Sequence, residues 1–282
     1  MSASPGHAAA REMANARASE REIQAAYLRA TGLQECDTPY PNIVAWDASS
    51  AVLHYQARRT QTPDPAHCFL IDAGAQADGY ASDITRTYTL NGVHPVFAEA
   101  LIRMEALQDQ LVRRVAPGQG FVELHREAER GVCQLLCDLG VLRCDPAGAF
   151  ERGLCHPFLP HGLGHHLGLQ VHDVGGLQHS VDGDFRPPPI AHPHLRTTRP
   201  LAVGNVVTIE PGLYFIPMLL DPQRAGSAAD AFDWGLIDQL AQVGGIRVED
   251  DVLVTPDGCE NLTRSIVPLC CELREDRKGA TR

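Results

Sequence analysis

Two aspartates on either side of a predicted tight turn are the first residues in this chain that could do chemistry. An apolar run delivers Asp72, a Gln-Ala-Asp-Gly stretch turns, and the strand that follows carries Asp83. The turn is centred on either Ala77-Asp78 or Asp78-Gly79. In both registers the two carboxylates share one face, directly opposite or diagonal, because side chains alternate along a strand. Like charges facing each other on a buried sheet are destabilising, so we expect a cation between them. The alternative is a solvated hairpin whose acids point to water.

A histidine-rich segment further along the chain supplies nitrogen donors. The stretch HPFLPHGLGHHLGLQVHD holds five of the 13 histidines, and its glycines allow the backbone to approach a site closely. The five are His156, His161, His165, His166 and His172. They could be a surface accident or a structural zinc site, but structural zinc usually needs two close pairs of Cys or His ligands, which this spacing does not supply cleanly. We therefore expect one or two of these imidazoles to be site residues.

Two more acids stand in predicted strands. NVVTIE is an apolar strand that ends in Glu210 and is stopped by a Pro-Gly pair. In GIRVEDDVLV, alternation puts Arg247, Glu249 and Asp251 on one face and apolar residues mainly on the other. One acid at the end of a strand would be explained by exposure to solvent. Three of them, counting Asp72, together with the histidine cluster indicate a metal site assembled from a sheet.

The number of candidate ligands restricts the metal. Four carboxylates, Asp72, Asp83, Glu210 and Glu249, with one imidazole carry too much negative charge for one ion, so two divalent cations are expected. An oxygen-rich set with one nitrogen favours Mn²⁺, Co²⁺ or Mg²⁺ over a thiolate-type zinc site, although zinc could bind. Paired metals commonly activate a shared water for hydrolysis. The residues by themselves thus predict a dinuclear metallohydrolase.

The elements that must hold these side chains are readable from periodicity and turn residues. Apolar residues recur at three- and four-residue steps after Pro95 and after Phe121, which predicts two helices that cover a sheet. The predicted helices span residues 8–31, 95–115 and 121–139, and the predicted strands span 42–46, 51–56, 80–90, 205–210 and 245–254. Residues 179–200 are rich in proline and histidine, so we predict a long surface loop that could act as a lid.

Composition narrows the class of protein. A chain of 282 residues with 44% hydrophobic and 21% charged residues suits one large α/β or α+β unit. A net charge of −11 argues against a nucleic-acid surface, and no apolar run is long enough for a membrane span or a signal peptide. The nine cysteines form no CxxC pairs, which favours free thiols in a reducing cytosol and predicts a cytoplasmic location.

Four motifs together resemble one known family. IDAGAQADGYASDITRT, HGLGHHLGLQVHD, TIEPGLYF and GGIRVEDDVLVT are similar to the pita-bread metallopeptidases, which include methionine aminopeptidase, aminopeptidase P and prolidase. The resemblance covers residues 8–269 and implies an α+β pita-bread (creatinase/aminopeptidase-like) fold, a curved antiparallel sheet covered by helices with internal pseudo-two-fold symmetry. The long segment between Glu210 and Glu249 and the stretch DTPYPNIVAWDASSAVLHY resemble the bacterial Xaa-Pro dipeptidase (prolidase) branch.

The resemblance implies roles for single residues. By this resemblance, the metal ligands are Asp72, Asp83, His165, Glu210 and Glu249, with Asp83 and Glu249 bridging two divalent ions. The expected metal is Mn²⁺, with Co²⁺, Mg²⁺ or Zn²⁺ as alternatives. The implied catalytic residues are Glu210, which moves the proton, His172 at the scissile carbonyl, and His161. The implied substrate-binding residues are His54, Tyr40, Arg196 and Arg247. For Tyr40, His54 and Arg196 a purely structural role is the alternative.

The implied activity is hydrolysis of the Xaa-Pro bond in dipeptides with a C-terminal proline. The alternatives are an Xaa-Pro aminopeptidase acting on longer peptides and a truncated or inactive binding module, and organophosphate hydrolysis is a conceivable side activity. Family members carry a smaller N-terminal domain that supports a homodimer. We expect that domain to be absent, with residues 1–20 a helix remnant and 21–282 the catalytic domain, which leaves dimerisation open. The expected partner is a small peptide, with no nucleic acid or membrane.

Overall fold

The N-terminal region is helical. The computed structural model describes residues 3–179 and 182–269, and it begins with α1 (Ser4–Asn15) and α2 (Glu20–Thr31). The single predicted helix over 8–31 is therefore wrong. Arg17 adopts a positive φ of 58°, which ends α1, and a capping box at Ser19 starts α2. Helix α2 is capped at its C-terminus by Gly32, which adopts the left-handed conformation, and this end agrees with the predicted one. The proposed boundary between residues 20 and 21 stays a prediction.

The first sheet presents the aspartate hairpin. Its strands are β1 (Ile43–Trp46), β2 (Cys68–Asp72), the short pair β3 (Gln76–Ala77) and β4 (Tyr80–Ala81), and β5 (Thr85–Thr89). The antiparallel order is β1-β2-β5, with β3 paired to β4. Residues 76 and 81 pair, so the turn is centred on Asp78-Gly79, one of the two predicted registers. Asp72 faces Thr85, which places Asp83 on the diagonal.

Two predicted strands of this half are wrong in part. A partner strand for β1 was expected over residues 51–56, but no strand forms there. The chain after β1 instead forms a 3₁₀ turn over residues 47–51. The predicted strand over 80–90 is interrupted between β4 and β5, although the ladder continues through the bond from Ala73 N–H to the Ile84 carbonyl.

Helices in the middle of the chain cover the sheets, as predicted. They are α3 (Pro95–Arg113), α4 (Phe121–Asp138) and the short α5 (Pro146–Glu151). The buried side chains of α3 and α4 repeat at helical spacing and belong to two hydrophobic clusters of the core. The described part of the predicted loop, residues 179 and 182–200, contains no helix or regular strand.

The second sheet lies in the C-terminal part. Its elements are β6 (Val206–Ile209), β7 (Gly212–Tyr214), α6 (Pro217–Arg224), α7 (Trp234–Val243), β8 (Gly245–Arg247), β9 (Asp250–Thr255) and β10 (Gly258–Asn261). The antiparallel order is β10-β9-β6, and β7 pairs with β8. The single predicted strand over 245–254 is wrong, because β8 and β9 pair with different strands and break at Val248-Glu249.

The two sheets meet through an isolated bridge between Thr85 and Glu249. Each half thus combines a three-stranded antiparallel sheet with a two-stranded pair, which agrees with the α+β class and the internal repetition expected from the sequence. In the described ranges no helix combines the length and the hydropathy needed to cross a membrane.

Candidate metal centre

The five predicted ligands lie around the junction of the two sheets. Asp72 ends β2, Asp83 follows β4, His165 lies in the segment beside β6, Glu210 follows β6, and Glu249 lies between β8 and β9. The His165 Nε2 atom is 3.3 Å from Asp83 Oδ2 and 3.6 Å from Glu210 Oε1. Donor atoms of Asp83, His165 and Glu249 all lie within 4.8 Å of one another. The fold therefore brings residues from four separate segments to one place.

The orientation of His165 is fixed by its own backbone surroundings. Its Nδ1 is 3.0 Å from the His166 carbonyl, to which it donates, so Nε2 is the nitrogen that faces the carboxylates. Its backbone N–H donates to Thr208 Oγ1 at 3.0 Å. A Cβ on Gly164 would lie 2.0 Å from the Thr208 carbonyl oxygen, so only glycine permits this close approach to β6.

Burial and mutual repulsion set the charges of the carboxylates. Burial, followed by the charge of Asp83, raises the pKa of Glu210 to about 7 against the opposing effect of His165. Burial also raises the pKa values of Asp72 and Glu249. Burial raises the pKa of Asp83, but the hydrogen bond and charge of His165, together with Tyr40 and Arg247, outweigh it and leave that pKa below its usual value. Asp83 and Glu210 in turn raise the pKa of His165 to about 9 despite its burial. The raised pKa values show that the positive charge of nearby protein groups does not fully compensate these buried, mutually repelling carboxylates.

The residues fit divalent metal ions. The Oδ1 atom of Asp72 is buried and has no hydrogen-bond partner, whereas Oδ2 accepts from Arg247 Nη2 at 2.5 Å. A buried carboxylate oxygen without a partner is costly unless a cation completes it. The set is four carboxylates and one imidazole, donors that suit Mn²⁺, Mg²⁺ and related ions.

The predicted catalytic histidines border this centre. The His172 ring stands edge-on to the His165 ring with centroids 4.4 Å apart, and His172 is exposed. The Nε2 of His161 lies 2.9 Å from the Tyr214 hydroxyl, and its Nδ1 lies 3.9 Å from Glu210 Oε2. Burial and the charge of Arg247 lower the pKa of His161 to about 3, so the ring is neutral.

The four predicted substrate-binding residues differ in their surroundings. Tyr40 is partly buried, its hydroxyl has no hydrogen-bond partner, and burial with the charges of Asp72 and Asp83 raises its pKa. His54 and Arg196 are exposed. Burial, and then the positive charges of His165, Arg196 and His54, lower the pKa of His172 to about 4 against the opposing charge of Asp83.

Arg247 is the exception among these four, because protein groups already engage its guanidinium. Besides Asp72, it donates through Nη1 to the Tyr214 hydroxyl at 2.8 Å and through Nε to Thr85 Oγ1 at 3.1 Å. Contact with substrate therefore stays a prediction for this residue.

Sequence reasoning missed three residues that support the ligands. Thr85 Oγ1 donates to Glu249 Oε2 at 2.6 Å, Asp251 accepts from the Asp83 backbone N–H at 3.2 Å, and Tyr214 links His161 to Arg247. Asp251 could have been found, because alternation already placed it on the face of Glu249. Thr85 carries no such signal, since its partner is 164 residues away.

The chain matches a known protein family over most of its length. The model of metallopeptidase family M24 matches residues 3–256. The chain is 46% identical over 261 residues to proteins named Xaa-Pro dipeptidase from Shewanella loihica and from Stenotrophomonas maltophilia, covering 93% of this chain and 59% of each relative. It thus spans about three-fifths of the length of these curated relatives.

Solved structures agree in fold. Zn-substituted Escherichia coli aminopeptidase P in complex with product has a TM-score of 0.74 and 30% identity, covering 94% of this chain and 53% of that one. The low-pH form of the same enzyme gives the same values. This likeness confirms the predicted α+β pita-bread architecture.

Proposed function

This chain belongs to metallopeptidase family M24, and we propose that it hydrolyses the Xaa-Pro bond of dipeptides with a C-terminal proline. The observation that carries the proposal is the convergence of Asp83, His165 and Glu249 donor atoms within 4.8 Å, next to Glu210 and Asp72. The relatives named Xaa-Pro dipeptidase, at 46% identity, supply the substrate class.

The family works with divalent metal ions, and we propose Mn²⁺ here, with Co²⁺, Mg²⁺ and Zn²⁺ as alternatives. Asp72, Asp83, His165, Glu210 and Glu249 would hold two ions. When bound, the ions supply a water of lowered pKa and polarise the scissile carbonyl. Every ligand is buried or nearly so, which keeps competing bulk water out and strengthens each interaction.

Glu210 is the residue we propose for proton transfer. Its Oε1 accepts from Thr208 Oγ1 at 3.2 Å, which leaves Oε2 to take a proton from the attacking water. The same oxygen returns that proton to the proline nitrogen, a secondary amine that must be protonated before it leaves. His172, exposed beside His165, is positioned to donate to the oxygen that gains charge.

The substrate ends meet different groups. The exposed Arg196 and His54 offer positive or donor groups for the free carboxylate of the C-terminal proline. His161, held by Tyr214, lies next to Glu210 and is the group we propose near the scissile bond. A cation that captures a carboxylate one residue beyond the scissile bond favours dipeptides over longer chains.

A comparison of Ala-Pro with Ala-Pro-Gly in the presence of added Mn²⁺ tests the proposal. We expect release of alanine from Ala-Pro only, measured by amino-acid analysis. Cleavage of both peptides would instead assign an Xaa-Pro aminopeptidase activity, and cleavage of neither by metal-loaded protein would indicate a binding module. The same preparation assayed with a phosphotriester measures the organophosphate side activity separately.

Two further expectations stay predictions. Seven cysteines of the described ranges are free, which suits the proposed cytoplasmic location, whereas Cys270 and Cys271 lie outside those ranges. Homodimerisation is measurable by sedimentation of the purified chain.

A further inference from the structure

We propose that a second metal site, for a single zinc-type ion, is formed by His125, Glu129, His192 and His156. None of these residues belongs to the candidate metal centre. His125 and Glu129 lie one turn apart on the same face of α4. His156 follows α5, and His192 comes from the loop at 182–200.

The donor atoms of His125, Glu129 and His192 lie within 4.8 Å of one another, and the His156 ring reaches the same Glu129 carboxylate. The Oε1 atom of Glu129 is 3.1 Å from His192 Nδ1, 3.2 Å from His156 Nε2 and 3.4 Å from His125 Nε2. Tetrahedral zinc with ligands at its usual bond lengths of about 2.0–2.2 Å would separate neighbouring donor atoms by about 3.3–3.5 Å. The three distances are therefore close to those that a shared ion requires.

Hydrogen bonding alone explains this arrangement poorly. All three rings face the same oxygen, while the other oxygen of Glu129, Oε2, is buried without a partner. Glu129 is 3% exposed, so bulk water does not reach this oxygen. Side chains arranged only to bond one another would distribute three donors over both carboxylate oxygens.

The chemistry of the donor set separates this site from the first. Three imidazoles and one carboxylate suit Zn²⁺, whereas the oxygen-rich centre suits Mn²⁺ or Mg²⁺. A cavity of about 520 Å³ opens beside the cluster and is lined in part by Glu129, His156 and His192. It gives an ion a route from solvent, and His156 is half-exposed at its edge.

A bound ion would have a structural consequence for the first site. It would attach the loop to α4 through His192, four residues before Arg196. Because Arg196 is the exposed cation that we place at the substrate carboxylate, the second ion would limit the positions available to it. This consequence rests on the proposed function, whereas the metal site itself does not.

Metal counting on the full chain tests the site. Metal-free protein is dialysed against Zn²⁺ and the zinc per chain is measured by mass spectrometry. We expect three equivalents in the wild type and two in Glu129→Gln and His192→Ala, with affinity for the third ion weakened more than about 100-fold, because a lost ligand costs more than a lost supporting contact. The matched controls Glu123→Gln and His194→Ala, both exposed, should retain three.

Cobalt supplies an independent readout. We expect the third equivalent of Co²⁺ to add the intense visible absorption of a tetrahedral site, and His192→Ala to abolish it. His192 lies in a loop, so this variant tests the site even if Glu129→Gln does not fold. An ion content of the folded variants equal to that of the wild type would overturn the proposal. Loss of Xaa-Pro activity with three ions still bound would count against the proposed function only.

Discussion

Asp83 is a proposed ligand that contacts protein through both its side chain and its backbone. Its carboxylate faces His165 Nε2 at 3.3 Å, and its backbone N–H donates to both oxygens of Asp251. Asp251 is buried, and burial with the charge of Asp83 raises its pKa well above the usual value. Asp83 thus links the His165 imidazole, the Asp251 carboxylate and the backbone of the hairpin, and we expect its substitution to weaken metal binding more than stability.

Asp83→Asn should lose metal and activity together. The amide keeps the shape but loses the negative charge of the proposed metal ligand, so we expect a fall of more than about 100-fold in Xaa-Pro hydrolysis and a loss of bound Mn²⁺. Asp78→Asn, on the exposed turn of the same hairpin, is the control. Metal content and rate both unchanged in Asp83→Asn would remove Asp83 from the centre.

Glu210→Gln tests proton transfer when bound metal is measured beside the rate, because Glu210 is also a proposed metal ligand. The amide cannot take up a proton, so kcat should fall by about 10²- to 10⁴-fold while the protein stays folded. Steady-state kinetics on Ala-Pro measure the change, with circular dichroism as the check on folding. A rate near that of the wild type would refute the role we give to Glu210.

His7 gives the protein a pH dependence of stability. Burial lowers its folded pKa from 6.5 to about 4, with Nε2 2.9 Å from the Ala73 carbonyl. The unfolded chain therefore binds one more proton between pH 4 and 6.5, and stability falls as the pH falls through that window. From pH 7 to pH 5 the loss from this residue is about 2 kcal/mol.

Denaturant unfolding of His7→Gln tests this sign. The variant should be less sensitive to acid than the wild type by that amount, because glutamine does not titrate. His194→Gln removes an exposed histidine and serves as the control. A slope equal to that of the wild type between pH 7 and 5 would contradict the assignment.

At the scale of elements, the segment around His165 behaves as an added strand beside β6. The Thr208 N–H donates to the His165 carbonyl, and the Glu210 N–H donates to the Leu163 carbonyl. Two ligands from distant parts of the sequence are thereby held at a fixed separation by backbone hydrogen bonds. The contact depends on Gly164, which leaves no room for a side chain.

Gly164→Ala should therefore disturb the site through the backbone. The new Cβ would lie 2.0 Å from the Thr208 carbonyl oxygen, and moving the segment away would displace His165. We expect weaker metal binding and a loss of about 1–3 kcal/mol in stability. Gly120→Ala, where a Cβ meets nothing within 4 Å, is the matched control. Equal metal affinity in both variants would show that the close approach is dispensable.

At the scale of the molecule, one buried arginine joins the two halves. Arg86 on β5 pairs with Asp250 on β9 at 2.7 Å and donates to the carbonyls of Glu249 and Val267. Asp250 is fully buried, and Arg86 and Arg264 hold its pKa below the usual value against burial. The pair lies on the face of β9 opposite the metal ligands, so it can fix the junction without entering the site.

Arg86→Met should destabilise the whole fold. It leaves the buried Asp250 with only part of its compensation, and we expect a loss of about 3–5 kcal/mol in the free energy of unfolding. The control is Arg103→Met, an exposed residue paired with Glu99 and Asp138, which should cost less than about 1 kcal/mol. If both variants unfold at the same denaturant concentration, the junction does not depend on Arg86.

Local patterns sufficed for a large part of the fold. The periodicity of α3 and α4 and the tight turn at Asp78-Gly79, one of the two registers predicted, are properties of contiguous residues, and each is found in the structure. Hydrogen bonds within helices and tight turns join residues that are close along the chain. The motifs that contain the acidic residues are also contiguous, so the family could be predicted from them.

Tertiary structure decided what depends on pairing between distant segments. Residues 245–254 read as one strand, but they pair first with β7 and then with β6, which breaks the strand at Glu249 and aims that residue at Thr85. The convergence of His125, Glu129 and His192 likewise follows only from the course of a loop over α4. The amino-acid sequence determines which side chains are available, whereas the packing of sheets and loops determines which of them come into contact.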